Sequence, residues 1–233
     1  DLIVEAKMQR RHLITAGMAL AATPLLSHGA GGPRTLGHPE AGHLLRRFGF
    51  GYNGKDAQFL VGKSVDEVAQ EWISSSKMQS AIPLISTLPG WHAEPIAFPN
   101  QKAMSEEERK AYQAQQGARV REMGAWWIGQ MINSPWPAAE RLTLFWHNHF
   151  TSSIRKVRAH KSMLNQNLVW RENAFGNLAT FAFRVITDPA MLQYLDAARS
   201  TKEAPNENFA RELLELFLLG EGNYSEADIK GLA

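Results

Sequence analysis

The sequence contains no cysteine among its 233 residues. This absence excludes disulfides, zinc–thiolate sites, iron–sulfur clusters and thiol nucleophiles, whereas metal binding by histidine and carboxylates stays open. The chain also lacks an excess of one charge, since 25 Lys and Arg face 23 Asp and Glu. A net charge of +2 is too small for the basic footprint of a general nucleic-acid binder, so we expect no nucleic-acid partner.

Long hydrophobic runs are absent as well. The run at residues 15–26 is interrupted by Pro24 and falls short of the roughly 18 apolar residues that span a bilayer, so we expect no transmembrane segment. The pair Arg10-Arg11 precedes this weakly apolar run, a pattern typical of a twin-arginine export signal. We predict a signal peptide at residues 8–30, with the twin-arginine translocase as partner and a periplasmic or extracellular location. An amphipathic first helix is the alternative.

The first seven residues precede Met8, which would begin a basic segment, Met-Gln-Arg-Arg. We therefore expect residues 1–7 to be upstream translation and the chain to be a fragment. Residues 31–233 are predicted to form the N-terminal part of one helical domain. Within it, residues 76–104 carry four prolines and no sustained period, which predicts a long surface excursion.

What the mature chain does contain is a succession of helix start and stop signals. Capping boxes at Ser64/Glu67 and Ser105/Glu108 mark two helix starts, and Pro137 suits the first turn of a third. No stretch alternates with period two, so we predict an all-α, multi-helix orthogonal bundle. The predicted helices are 39–48, one opening at Ser64, 105–133, 138–150, 158–175, 178–186, 189–197, 206–219, and one opening at Ser225.

Two histidines share the helix at 138–150. At 100° per residue, His147 and His149 lie about 200° apart and cannot chelate one metal while both are helical. Neither an H-x-x-x-H nor an E-x-x-H spacing occurs in this helix. The alternative interpretation is that His149 is a core histidine and that His147 caps the helix or pairs with Glu140.

The helix at 206–219 is apolar around almost its whole circumference, which is typical of a buried helix. Its charged residues Glu207, Arg211, Glu212 and Glu215 must then be partly enclosed. Arg211 can reach Glu207 and Glu215 at i−4 and i+4, forming an internal ladder of ion pairs. A functional polar pocket is the alternative.

Two aspartates flank the helix at 189–197. Asp188 before Pro189 fits an N-cap. Asp196 lies at the other end, where a carboxylate interacts unfavourably with the helix dipole unless a cation or metal compensates its charge. The basic run at 155–161 indicates either a solvated helix start or a site for an anionic glycan or phosphate.

Polar side chains on two strongly apolar helices need partners, and a shared cluster would let each helix satisfy the other. We therefore predict one cluster of His147, His149, Asp196, Asn206, Glu207, Arg211 and Glu212. The catalytic candidates are His147, His149, Asp196, Glu207, Arg211 and Glu212, and the metal-ligand candidates are His147, His149, Asp196 and Glu207. We find no nucleotide-binding, haem or iron–sulfur signature, and no motif of the standard serine or zinc hydrolases.

Four segments together resemble one bacterial family, catalogued as domain of unknown function 1800. They are H-L-L-R-R-F-G-F-G at 43–51, E-R-L-T-L-F-W-H-N-H-F at 140–150, D-P-A-M-L-Q-Y-L-D at 188–196 and P-N-E-N-F-A-R-E-L-L-E-L-F at 205–217. The resemblance covers the chain from about residue 36 and implies a helical, exported protein, often encoded beside a second exported protein of unknown function. It also implies that the domain continues past Ala233. The family has no settled activity, so the resemblance implies no catalytic roles.

Two hypotheses for function follow. The first is a non-enzymatic assembly or interaction protein of the cell envelope or periplasm, whose buried His/Glu/Arg cluster specifies helix packing. The second is an exported enzyme that uses the same cluster, with a metal ion loaded before export as its cofactor. The sequence favours the first slightly, because nothing in it assembles a nucleophile, a base and an orienting group.

Overall fold

The computed structural model describes residues 35–52, 54–79, 87–96, 100, 102–134, 136–197 and 200–233. Residues 36–233 form a compact unit, and the secondary structure of the described ranges is helical, without strands. The predicted all-α bundle is therefore confirmed. Residues 1–7 and the predicted signal peptide at 8–30, which contains Arg10 and Arg11, lie outside the described residues.

The helices follow one another with short connections, apart from the proline-containing segment. In chain order they are α1 (His38–Phe48), α2 (Gly54–Gln58), α3 (Val65–Gln79), α4 (Glu106–Asn133), α5 (Pro137–His149), α6 (Ile154–Val157), α7 (His160–Asn173), α8 (Leu178–Ile186), α9 (Pro189–Tyr194), α10 (Glu207–Glu212) and α11 (Glu226–Leu232). A 3₁₀ turn covers Gly90–Ala93, and a π-helical segment, Leu213–Leu218, continues α10.

The helix starts follow from local hydrogen bonds that the sequence encodes. Ser105 and Glu108 form the predicted capping box, and Ser64 and Glu67 exchange the same pair of bonds. Each box satisfies backbone N–H groups that would otherwise lack a partner in the first helical turn. These starts were predictable because every participating group lies within four residues of the others.

Two predicted helices differ from the structure. The helix predicted at 158–175 corresponds to α7, which begins only at His160 because Arg158 adopts a left-handed φ of 54°, and the short helix α6 lies ahead of the predicted run. The helix predicted at 189–197 ends at Tyr194, and Asp196 follows in the left-handed conformation, with φ 59°. A residue in this conformation after a helix C-terminus is a common way to end a helix.

The main core joins α5, α7, α8 and the π-helical segment. Its centre contains the buried rings of Phe150, Trp170, Phe181 and Phe217 together with Leu213. Phe150 meets Trp170 and Phe181 edge to face, with ring centroids 5.9 and 5.1 Å apart. Burying each such side chain contributes about 1.5–3 kcal/mol, so these aromatic residues fix the positions of the helices that carry the polar site.

The proline-containing segment begins later than the sequence indicates, because α3 continues to Gln79. In its described part, Trp91 is buried against Trp126 and Leu164. The indole Nε1 of Trp91 donates to Glu122 Oε2 at 2.8 Å. Residues 87–96 are therefore attached to α4 by a buried tryptophan.

Candidate functional site

Four polar side chains meet where α4, α5 and α7 pack together. Glu140 and His147 lie seven residues apart on α5, while Asn167 and Arg171 lie four residues apart on α7. Both spacings place side chains on the same face of a helix. The facing pairs form one chain of contacts, which we call the buried polar cluster: Glu140, Arg171, Asn167 and His147.

An ion pair forms one end of the buried polar cluster. Arg171 Nη1 donates to Glu140 Oε1, and the side chains are only 11% and 1% exposed. The Arg171 guanidinium also lies over the Trp126 ring, 5.5 Å from its centroid. Burial lowers the pKa of Arg171 to about 10, which still leaves the side chain charged at neutral pH.

His147 forms the other end of the cluster, and its protonation state follows from its partners. Arg171 Nη2 donates to Asn167 Oδ1 at 3.3 Å, so the Asn167 amide directs its nitrogen toward His147. Asn167 Nδ2 lies 3.0 Å from His147 Nε2 and donates to it. Because an accepting nitrogen carries no proton, the neutral imidazole has its proton on Nδ1. Burial lowers the pKa of His147 to about 4, consistent with a neutral ring.

Several polar atoms around this cluster have no hydrogen-bond partner within the described part of the chain. They include Glu140 Oε2, Arg171 Nε and the indole nitrogens of Trp127 and Trp170. The Trp127 ring lies 4.5 Å from that of His147. Buried polar atoms in native proteins are normally paired, and leaving one unpaired costs about 1–3 kcal/mol. The cluster therefore contains both donors and an acceptor that the described residues leave unpaired.

His149, a second predicted site residue, has a different partner. Its Nε2 lies 2.7 Å from the backbone oxygen of Phe217, and a carbonyl only accepts, so this nitrogen carries the proton. Phe217 belongs to the last turn of the π-helical segment, whose carbonyls lack partners within the helix. His149 thus satisfies a helix end, whereas His147 contacts α7.

Each of the two aspartates at the ends of α9 has the partner expected of a carboxylate at that helix end. Asp188 Oδ1 accepts from the Met191 backbone N–H at 2.7 Å, which confirms the predicted N-cap. Asp196 Oδ2 lies 2.7 Å from Lys156 Nζ on α6, so a cation compensates the charge of this carboxylate. Lys156, from the predicted basic run, also lies 5.5 Å above the Tyr194 ring.

The charged residues of the 206–219 region are partly buried, as predicted. The ladder of ion pairs along this helix was wrong, however, because the partners lie later in the chain. Arg211 forms two bonds of 3.1 Å with Glu226, and Glu215 accepts from the Tyr224 hydroxyl at 2.9 Å. The loop that leads into α11 places Tyr224 and Glu226 closer to Glu215 and Arg211 than the charged residues four positions away on the same helix are.

The structure gives the members of the predicted single cluster separate contacts. His147 bonds to α7, His149 to the π-helical segment and Asp196 to α6. Asn206 caps α10 and donates to the Leu195 carbonyl at 3.1 Å. Among the described residues, no three His, Asp or Glu side chains are grouped so as to hold a metal ion. The metal candidates His147, His149, Asp196 and Glu207 are therefore not brought together as one metal site, and the 200° between His147 and His149 keeps these two side chains on opposite sides of α5.

A second feature lies on the surface near the start of α5. Phe48, Phe50 and Tyr52 are 44%, 37% and 42% exposed. The guanidinium of Arg46 lies 5.3 Å above the Tyr52 ring and that of Arg141, from α5, lies 5.5 Å above Phe50. Arg47 is exposed and lies between Arg46 and Phe48 in the chain. We call this set the arginine–aromatic surface: Arg46, Arg47, Phe48, Phe50, Tyr52 and Arg141.

Glycines shape the segment that carries these rings. A side chain at Gly42 would collide with the Tyr52 hydroxyl, and a Cβ at Gly49 would come within 2.8 Å of the Leu45 carbonyl oxygen. Gly51 has φ 149°, a conformation that other residues rarely adopt. Gly42 therefore leaves room for the exposed Tyr52 ring, while Gly49 and Gly51 allow the close approach and the positive φ that the turn after α1 requires.

The family described as protein of unknown function (DUF1800) matches residues 43–233. The chain belongs to the DUF1800 family. The matched region includes the buried polar cluster and the arginine–aromatic surface. A search of curated proteins and a search of solved structures each return no significant match.

Sequence reasoning missed the two α7 residues of the buried polar cluster in this DUF1800 chain. A weak indication exists, because Gln166, Asn167 and Arg171 lie close to Trp170 on one helix, where buried polar residues need partners from elsewhere. Glu140 pairs with Arg171 and not with His147, the partner that the alternative interpretation of the sequence gave it. Among the helices of the described ranges, none is long and apolar enough to cross a membrane.

Proposed function

We propose that this DUF1800 chain belongs to an exported bacterial protein that assembles with another protein in the cell envelope or periplasm. The arginine–aromatic surface is the observation that carries the proposal. Tyr, Phe and Arg are enriched at protein interfaces, and buried aromatic and arginine anchors supply much of the binding energy there. Export rests on Arg10 and Arg11, and the partner we propose is the second exported protein that the family resemblance implies.

In this proposal the buried polar cluster specifies helix packing. A buried ion pair contributes little net stability compared with apolar residues of similar size, but it strongly disfavours arrangements that separate its members. Glu140 and Arg171 therefore select one alignment of α5 against α7. Asn167 and His147 extend the same requirement along the two helices.

Photo-crosslinking in cells tests the interaction. With Phe50→p-benzoylphenylalanine in the full-length protein, irradiation should give a discrete crosslinked species in the envelope or periplasmic fraction. The matched control is Phe183→p-benzoylphenylalanine, because Phe183 is a 66% exposed phenylalanine on α8. Equal labelling at both positions, or none at Phe50 in a folded and exported protein, would contradict the proposal.

The unpaired atoms of the buried polar cluster favour a second candidate, an exported enzyme that binds a small polar substrate there. Native mass spectrometry of full-length protein purified from the periplasm would detect such a species. A bound mass that is lost in Glu140→Gln but kept in Glu172→Gln, an exposed glutamate on α7, would support the enzyme. If the bound mass were unchanged in Glu140→Gln, the cluster would keep only its packing role.

A further inference from the structure

The arginine–aromatic surface carries positive charge that no carboxylate of the described residues neutralises. The ion pairs of this part of the chain do not include Arg46, Arg47 or Arg141. Arg46 uses one nitrogen to donate to the Tyr52 hydroxyl at 3.1 Å. Arg141 lies over the ring of Phe50, and none of the side-chain hydrogen bonds among the described residues uses its N–H donors.

Docking at this surface would remove these arginines from water together with the exposed rings. Burying a guanidinium is costly unless an acceptor of opposite charge pairs with it. Carboxylates suit the guanidinium because two parallel N–H donors match two oxygens. The aromatic rings require apolar side chains from the same partner, because they contribute affinity only when water is excluded from them.

We infer that the partner presents a protein segment rich in Asp and Glu, with apolar side chains between the acids, to the arginine–aromatic surface. This inference rests on the proposed function and adds the chemistry of the partner to it. Complementary charge would orient the segment and speed its association, and the three rings would hold it in place. A protein segment is favoured over an anionic glycan because two of the three rings are phenylalanines, which offer no hydrogen bond to sugar hydroxyls.

The crosslinked species from Phe50→p-benzoylphenylalanine supplies the first test. After digestion, the partner peptide attached at position 50 should have a negative net charge and contain apolar residues. A neutral or basic peptide there would overturn the inference while leaving the proposed function intact. Absence of any crosslinked protein would instead count against the proposed function itself.

Charge reversal supplies the second test. In the same full-length protein, Arg47→Glu with Arg141→Glu should lower the crosslink yield at least about tenfold, because like charges replace paired ones. Arg184→Glu is the matched control, since Arg184 is an exposed arginine beside Phe183 on α8. Replacing the acids of the captured peptide with lysines should restore the yield in the Arg47→Glu/Arg141→Glu protein.

Circular dichroism and thermal melting establish that the reversed variant folds, which we expect because both arginines are exposed. A yield that is unchanged by the reversal would overturn the inference. So would charge-dependent binding to anionic vesicles or to purified anionic glycan without a protein crosslink, because the surface would then recognise a different class of partner.

Discussion

Protonation of His147 would break the hydrogen bond that its Nε2 accepts from Asn167. It would also place a second cation in the buried polar cluster, where Arg171 is charged and Glu140 is already paired with it. Burial accounts for the fall in the pKa of His147 from 6.5 to about 4. The unfolded chain therefore takes up this proton first as the pH falls.

The folded state should accordingly lose stability between pH 6.5 and pH 4, and keep it above that window. From the two pKa values, we expect a loss of about 2 kcal/mol in unfolding free energy between roughly pH 7.5 and pH 5. Urea unfolding at the two pH values measures it, and His147→Gln should reduce the pH dependence. Equal pH dependence in both proteins would assign the effect to other groups.

Among the charged residues that the structure describes, we expect replacement of Arg171 to lower the free energy of unfolding the most. Arg171→Ala leaves Glu140, which is 1% exposed, as a buried carboxylate without its cation, and should cost about 3–5 kcal/mol. The double replacement Glu140→Leu/Arg171→Met should cost much less, because no lone charge remains. Arg184→Ala breaks an exposed pair with Glu172 at 3.6 Å and should cost about 0–1 kcal/mol.

Urea unfolding of the four proteins provides the comparison. If Arg171→Ala were no more destabilising than Arg184→Ala, the ion pair would have no structural role. The sequence pointed to Arg211 as the enclosed cation. In the structure the enclosed cation is Arg171, because Arg211 is 41% exposed and pairs with an exposed Glu226.

Which of these residues could be predicted depends on the range of their contacts. Asp188 was recognised as an N-cap because its partner, Met191, lies three residues away. The bonds of Glu140 and His147 cross 31 and 20 residues to α7. Side-chain pairs at that separation depend on how the helices pack, which the local pattern does not specify.

At the scale of elements, the junction between α6 and α7 gives a prediction of its own. Arg158 has φ 54°, and a residue with a Cβ pays about 1–2 kcal/mol in this conformation. We expect Arg158→Gly to be about 1 kcal/mol more stable than Arg158→Ala, since glycine adopts positive φ without that penalty. Thermal or urea unfolding of the two variants measures the difference. Equal stabilities would mean that α6 and α7 join without strain at Arg158.

The helix predicted at 206–219 shows a different limit of sequence reasoning. Its start at Asn206 and its apolar character agree with the structure, but residues 213–218 form a π-helical segment. The N–H groups of Leu219 and Gly220 both reach the Leu214 carbonyl. A run of leucine and phenylalanine is apolar on every side, so periodicity does not distinguish the wider helix. The contact of His149 with Phe217 is a tertiary interaction and leaves no local pattern.

At the scale of the whole molecule, helix signals alone predicted the all-α architecture and most helix bounds. The sequence alone does not predict the arginine–aromatic surface, because the exposure of Phe48 and Phe50 depends on what packs over them. The buried core also bears on the export that we propose. The twin-arginine route carries folded proteins, and a chain without cysteine needs no oxidation after export to complete its fold.

The predicted signal can therefore be tested together with the fold. Residues 8–35 fused to a reporter that is active only when exported in the folded state should direct it out of the cytoplasm, and Arg10→Lys with Arg11→Lys should abolish this. In the full-length protein, Arg171→Ala should lower export by the same route, because a destabilised fold is a poorer substrate for a translocase that carries folded chains. Arg184→Ala is the control and should be exported normally. Cell fractionation measures all three, and unchanged export of the double lysine variant would exclude the twin-arginine route.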